Sequence, residues 1–170
     1  MDLILVVMRL VHVGLGVFWV GTMVFNAIFL GPAVRDAGPD GAKVMGGLMR
    51  RRFMDVMPAV AILNILSGLW LYWKMSGGFE PAYMHSATGM TFGTGGVLAI
   101  VAFVIGMSVV RPSMLKAMAL GPTVAQAQPA ERDALMTQVQ ALRAKAMGAG
   151  KLVAILLGLA AAAMAVARYI

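Results

Sequence analysis

The chain has 170 residues, of which 61% are apolar and only 12% are charged. Soluble globular proteins contain about 25% charged residues, so this composition excludes a water-soluble domain. Cysteine is absent, which also excludes disulfides, thiolate metal clusters and a thiolate nucleophile.

Four apolar segments are long enough to cross a bilayer as helices, which takes about 20 residues each. The predicted helices are 3–30, 56–73, 88–110 and 130–168, the last entering the membrane at about residue 146. The first segment lacks the basic leader and cleavage site of a signal peptide, so we expect it to be retained. Gly31-Pro32 is predicted to end it. The sequence therefore predicts an all-α, four-helix transmembrane bundle forming a single domain over residues 1–170.

One face of the first helix carries polar and aromatic residues at helical spacing: His12, Gly16, Trp19, Met23 and Asn26, with Arg9 one turn before. His12 lies about nine residues into the span, in the half of the bilayer nearer the N-terminus. A neutral imidazole there needs a partner. It is either a ligand for haem iron or copper, or a hydrogen-bonding group on a neighbouring helix, and both readings stay open.

The densest charge cluster precedes the second helix, at Arg50, Arg51 and Arg52. These arginines can anchor the topology, or they can hold anionic groups such as haem propionates, porphyrin carboxylates or lipid phosphates. The cluster and His12 are expected on opposite sides of the membrane. One small ligand is therefore not expected to touch both.

Basic residues collect in two of the three connections. The first connection contains Arg35, Lys43, Arg50, Arg51 and Arg52. The third connection and its flanks contain Arg111, Lys116, Arg132, Arg143, Lys145 and Lys151. The positive-inside rule predicts that these two connections face the cytoplasm and that both termini lie on the outer, periplasmic side of a bacterial inner membrane. A net charge of +7 distributed this way indicates membrane topology and no nucleic-acid partner.

The second connection offers a possible copper site. His85 is predicted to lie on the same side as His12, with Met84 and Met90 nearby, and thioether sulfur favours Cu(I). The alternative is that these methionines only pack. An aromatic belt is predicted at this membrane boundary, from Trp70, Tyr72, Trp73, Tyr83 and Tyr169.

The last part of the chain is predicted to fold as one long helix after a Pro- and Ala-rich turn at 121–128. Ala154, Gly158 and Ala162 form a stripe of small residues on it, which favours close packing of helices, either within the bundle or in a homo-oligomer.

Two stretches carry a resemblance to a known group. The first is His12-Val-Gly-Leu-Gly-Val-Phe-Trp-Val-Gly-Thr-Met, followed by Gly31-Pro-Ala-Val-Arg. The second is Arg51-Arg-Phe-Met-Asp-Val-Met-Pro-Ala, running into Ser67-Gly-Leu-Trp-Leu. Both resemble segments of the HemJ-like and CopD-like superfamily of bacterial four-helix membrane proteins, over roughly the first half of the chain. The ending, Gly150-Lys-Leu-Val-Ala to Met164-Ala-Val-Ala-Arg-Tyr, resembles uncharacterised four-helix relatives of the same broad group.

The resemblance implies haem b as cofactor with His12 as axial ligand, since HemJ-like proteins bind haem b and oxidise protoporphyrinogen. HemJ-like proteins carry a lysine in the third helix, whereas residues 91–110 contain no basic residue here. The expected function is therefore a haem b protein for electron transfer or porphyrin oxidation, with a porphyrin or an electron carrier as partner. The cofactor-binding candidates are His12, Arg9, Trp19, Arg51 and Arg52. Copper binding or transport by His12, His85, Met84 and Met90 is one alternative, and a non-enzymatic accessory or assembly subunit is the other.

Overall fold

In the computed structural model, residues 2–170 are described; Met1, the first residue of the predicted domain, and the side chain of Pro39 lie outside the description. Within residues 2–170 all regular secondary structure is helical. The elements are α1 (Leu3–Asp36), α2 (Pro39–Arg50), α3 (Phe53–Met75), α4 (Pro81–Met84), α5 (Ala87–Gln126) and α6 (Pro129–Tyr169). Of these, α1, α3, α5 and α6 are long and apolar enough to cross a membrane. The predicted all-α class and the four membrane-capable helices are thus confirmed.

The predicted end of the first helix at Gly31-Pro32 is wrong, because α1 continues to Asp36. Proline lacks an N–H group and its ring collides with the carbonyl four residues back, which normally ends or kinks a helix. Here Asn26–Leu30 forms a π-helical turn, in which the Gly31 N–H group bonds to the Asn26 carbonyl. The wider turn lets the chain pass the proline without leaving the helix.

The third spanning helix shows the same arrangement, so its predicted end at residue 110 is also wrong. A π-helical turn at Gly106–Val110 precedes Arg111-Pro112, and the Arg111 N–H group bonds to the Gly106 carbonyl. The predicted turn at 121–128 is wrong for most of its length as well. After a single turn residue at Leu120 the chain is helical again over Gly121–Gln126.

Cross-helix contacts define the two ends of the bundle. At one end Lys74 Nζ lies 3.9 Å from Asp2 Oδ2, and Thr88 Oγ1 donates to the Ile170 carbonyl at 3.0 Å. We call this the terminal end, because Asp2 and Ile170, the first and last described residues, lie there. At the opposite end Arg111 Nη2 lies 3.1 Å from Asp55 Oδ1. We call it the basic end, since it also carries α2.

The core lies in the middle of the bundle and consists of one aromatic residue among small and aliphatic ones: Trp19, Ala61, Ala99, Ala102, Val153, Leu157 and Ala160. A Cβ atom on Gly95 would lie 3.1 Å from the Ala160 carbonyl, so α5 and α6 meet closely there. The predicted stripe of small residues on α6 contributes to the bundle interior at one of its three positions, and its alternative role in a homo-oligomer stays a prediction. Ala154 is buried, whereas Ala162 is exposed and a Cβ on Gly158 would meet open space.

The last two spanning helices are longer than a bilayer requires. α5 has 40 residues and α6 has 41. At 1.5 Å per residue each is about 60 Å long, whereas the hydrocarbon core is about 30 Å thick. Ser113, Ala117 and Val139 remain buried beyond the spans, so the two extensions pack on each other as a helical hairpin at the basic end.

Candidate functional site

His12 and Asn64 bind each other across the α1–α3 contact. The His12 Nδ1 atom lies 2.9 Å from the Asn64 main-chain carbonyl, and the Asn64 side-chain amide donates to the His12 main-chain carbonyl at 2.6 Å. Asn64 is buried, with 6% of its surface exposed, whereas His12 is half-buried. The two helices are therefore joined by reciprocal hydrogen bonds, each between a side chain and the partner's backbone.

These bonds determine which nitrogen of the His12 ring carries the proton in the neutral form. A carbonyl oxygen can only accept, so Nδ1 must be the N–H donor to Asn64. Ser67 Oγ lies 3.3 Å from Nδ1 and donates its own hydrogen to the Asn64 carbonyl at 2.9 Å, so toward His12 it too can only accept. The other ring nitrogen, Nε2, is thereby left with a free lone pair.

The Nε2 atom of His12 is not fully buried. Nε2 makes no hydrogen bond to any residue in 2–170. If it were fully buried, it would be a buried side-chain polar atom without a partner, and within residues 2–170 only Tyr83 Oη is such an atom. An Nε2 lone pair without a partner therefore has to be exposed in part. Ligating histidines commonly have this arrangement, with one nitrogen held by a backbone carbonyl and the other free for the metal.

Two glycines make room for this pair. A Cβ atom on Gly68 would lie 2.7 Å from His12 Cε1, and one on Gly16 would lie 3.2 Å from the Asn64 amide nitrogen. The ring therefore lies directly on the α3 backbone at Gly68. Ser67 and Gly68 belong to the second segment that resembles the HemJ-like and CopD-like group, but neither was predicted to have a role at the site.

The other candidates on α1 lie apart from the imidazole. Trp19 is two turns further along and is buried in the core, with 4% of its surface exposed. Arg9 is exposed, and its guanidinium lies 4.0 Å from the Met75 sulfur at the terminal end. The predicted shared face of α1 does point into the bundle, since Met23 and Asn26 line an internal cavity.

Arg51 and Arg52 lie between α2 and α3 at the basic end, and both are exposed. Arg52 adopts a left-handed backbone conformation with φ of 57° and lies 3.8 Å from Asp55. Arg52 and Asn64 are twelve residues apart, which corresponds to about 18 Å along α3. The structure thus places these arginines far from His12 along the bundle, as the sequence analysis expected.

The second connection contains the remaining metal-binding candidates. Met84, His85 and Met90 are all exposed, and His85 Nδ1 donates to the Pro81 carbonyl of its own turn at 2.7 Å. Within residues 2–170 there is no group of three or more His, Asp or Glu side chains that could hold a metal ion. The copper set, which depends on methionine sulfur, stays a prediction.

Tyr83 in the same connection is a feature that the sequence analysis had assigned only to an aromatic belt. Its ring meets that of Tyr72, with ring centres 6.1 Å apart, and its hydroxyl is buried without a hydrogen-bond partner among residues 2–170. Burial, with Tyr72 as the smaller cause, raises the pKa of Tyr83 above its usual value of 10.0. The phenol is therefore neutral at physiological pH.

Two cavities lie toward the basic end, with volumes of about 130 Å³ and about 80 Å³. Pockets for drug-sized ligands usually measure about 300–1,000 Å³. His12 lines neither cavity, although Trp19 lines the smaller one. Neither of these two cavities could therefore hold a haem next to the imidazole.

Comparison with known proteins adds no family. No protein-family model, no curated protein and no solved structure matches the chain.

Proposed function

We propose that this chain is a multi-pass protein of the bacterial inner membrane that binds haem b through His12 Nε2 and serves electron transfer or porphyrin oxidation. The proposal includes membership of the HemJ-like and CopD-like group, and an orientation with the basic end in the cytoplasm. The observation that carries it is the hydrogen bond from His12 Nδ1 to the Asn64 carbonyl. That bond leaves Nε2 as a lone-pair donor within an apolar span.

The residues fit the axial ligand of a haem but not an enclosed haem pocket. Asn64 and Ser67 orient the ring and Nε2 is not fully buried, while the two cavities toward the basic end are too small for a haem and are not lined by His12. We therefore infer a haem that approaches from the membrane-facing surface of the α1–α3 contact. Arg51 and Arg52 are too far along α3 to contact the same group, so we leave them out of this site.

In this proposal the protein's own contribution is to hold and tune the ligand. The Asn64 carbonyl keeps the proton on Nδ1 and leaves the Nε2 lone pair free for the iron. The Asn64 amide and the Gly68 backbone fix the ring position relative to α1 and α3. When bound, haem would supply one-electron chemistry, whose potential depends on the axial ligand and on the apolar surroundings.

An absorbance spectrum of the protein purified after haem-sufficient expression tests the proposal. We expect a Soret band in the wild type and in His85→Ala, and no band in His12→Ala. His85→Ala is the matched control, because His85 is the only other histidine and is exposed. A wild-type protein without a Soret band, or a His12→Ala variant with an unchanged one, would contradict the proposal. Metal analysis of the same samples tests the copper alternative, which requires copper that is lost in His85→Ala.

A further inference from the structure

The larger cavity lies at the basic end beneath the amphipathic helix α2, whose Met45 and Leu48 line it. Its wall is almost entirely apolar and contains five methionines: Met23, Met45, Met54, Met114 and Met147. Methionine side chains adapt to ligands of irregular shape. The volume of about 130 Å³ is close to that of engineered apolar cavities of about 150 Å³ that bind benzene. The cavity is therefore large enough for a segment of hydrocarbon chain.

One cation lines this apolar cavity without a counter-ion. Lys151 on α6 contributes to the wall and forms no salt bridge with any residue in 2–170. Arg111, which lines the adjoining smaller cavity, is in contrast paired with Asp55 at 3.1 Å. The larger cavity thus combines an apolar interior with a single unpaired positive charge. That combination complements a molecule with a hydrocarbon chain and an anionic head.

The helix α2 has the properties of an interfacial helix. Its polar residues Asp40 and Lys43 pair with each other at 2.7 Å and are highly exposed, while two of its apolar residues, Met45 and Leu48, line the cavity. Helices of this kind lie at the boundary between headgroups and acyl chains. Residues with left-handed backbone angles flank it, Gly38 with φ of 53° and Arg52 with φ of 57°. The cavity mouth is therefore expected at headgroup level, where a bound lipid would place its phosphate.

We propose that this cavity is a binding site for an anionic phospholipid, with part of one acyl chain among the methionines and the phosphate next to Lys151. Basic pockets between membrane helices are known to bind anionic headgroups in this way. The site is separate from His12, and the inference does not rest on the proposed haem function.

Native mass spectrometry of the full-length protein in mild detergent tests the site. The probes are phosphatidylglycerol and phosphatidylcholine with identical acyl chains. We expect the wild type to retain phosphatidylglycerol preferentially. In Lys151→Gln that preference should fall about five-fold, which is the usual effect of one basic residue near a membrane surface. Lys145→Gln is the matched control, since Lys145 is exposed on the same helix and does not line the cavity.

A second pair of variants tests the apolar part. Ala27 lines the cavity, so Ala27→Phe should reduce the retention of both lipids, whereas Val17→Phe adds a ring on the exposed face of the same helix and should not. Equal retention of the two lipids by the wild type would overturn the proposal. An unchanged preference in Lys151→Gln, or an equal loss in Lys145→Gln, would do the same. Because Lys151 is exposed, we expect Lys151→Gln to fold normally. The lipid preference of this variant therefore tests the proposed site even if Ala27→Phe fails to fold.

Discussion

The position of the His12 ring depends on the absence of a side chain at Gly68. A Cβ atom there would lie 2.7 Å from Cε1 and 3.1 Å from Nδ1 of the imidazole, closer than ordinary packing allows. The ring is the movable partner in this contact, so a methyl group at Gly68 would displace it from the Asn64 carbonyl. The geometry of the proposed haem ligand can thus be disturbed without removing the histidine.

Gly68→Ala should therefore lower the haem occupancy of the purified protein while His12 is still present. Loss of the Nδ1 hydrogen bond should also reduce the free energy of unfolding by about 1 kcal/mol. Haem absorbance per protein and thermal unfolding in detergent measure both effects. Gly21→Ala on α1 is the control, since a Cβ there would meet open space. Equal occupancy in the two variants would show that the ring position does not matter.

The sequence could place His12 on an inward-facing side of its helix but could not name its partner. Spacing of three and four residues determines which side chains share a face within one helix. The register between α1 and α3 depends on tertiary packing at Gly16 and Gly68, which local patterns do not contain. The two readings of His12 as ligand or as hydrogen-bonding group are also compatible, because each ring nitrogen can serve one of them.

At the scale of the elements, the π-helical turns explain why two helix ends were predicted wrongly. Gly31-Pro32 and Arg111-Pro112 follow five-residue π turns and do not end the helices. A proline disfavours the helical conformation of the residue before it, which is why Gly31-Pro32 was predicted to end the first helix. The third helix was predicted to end at residue 110 because its apolar segment ends there. A π turn changes the hydrogen-bonding register before the proline, and no residue pattern in this chain predicted either π turn.

Two neighbouring glycines on α5, Gly95 and Gly96, provide a test and a control for the contact between α5 and α6. Gly95→Ala would place a Cβ 3.0 Å from Met164 Cγ and 3.1 Å from the Ala160 carbonyl. Overpacking of this kind typically costs about 1–3 kcal/mol, so we expect a lower melting temperature in detergent. Gly96→Ala should leave stability unchanged or raise it slightly, because a Cβ there would meet nothing within 4 Å. Equal melting temperatures for the two variants would contradict this contact.

At the scale of the whole molecule, the four membrane-capable helices bring Asp2 and Ile170 to one end and the basic residues around α2 to the other. The composition and the four apolar segments were sufficient to predict this architecture. The cavities were not predictable, because they form where residues from several helices that are distant in sequence leave a gap, as Met23, Met54 and Met147 do. From the sequence, Lys151 was therefore interpreted only as one of the basic residues that indicate the membrane topology.

The orientation of the bundle can be tested directly, since the chain has no cysteine. We expect a membrane-impermeant maleimide to label Ala82→Cys in cells with a permeabilised outer membrane, and to label Thr123→Cys only in inverted inner-membrane vesicles. Both positions are exposed, and they lie in the second connection and in the hairpin at the basic end. The opposite pattern would contradict the proposed cytoplasmic location of the basic end.

Titration of haem into purified haem-free protein is the strictest test of whether His12 Nε2 is a haem ligand. We expect a saturable Soret shift at one haem per chain for the wild type and for His85→Gln, and no such shift for His12→Gln. Identical titration curves for His12→Gln and the wild type would contradict haem ligation by His12.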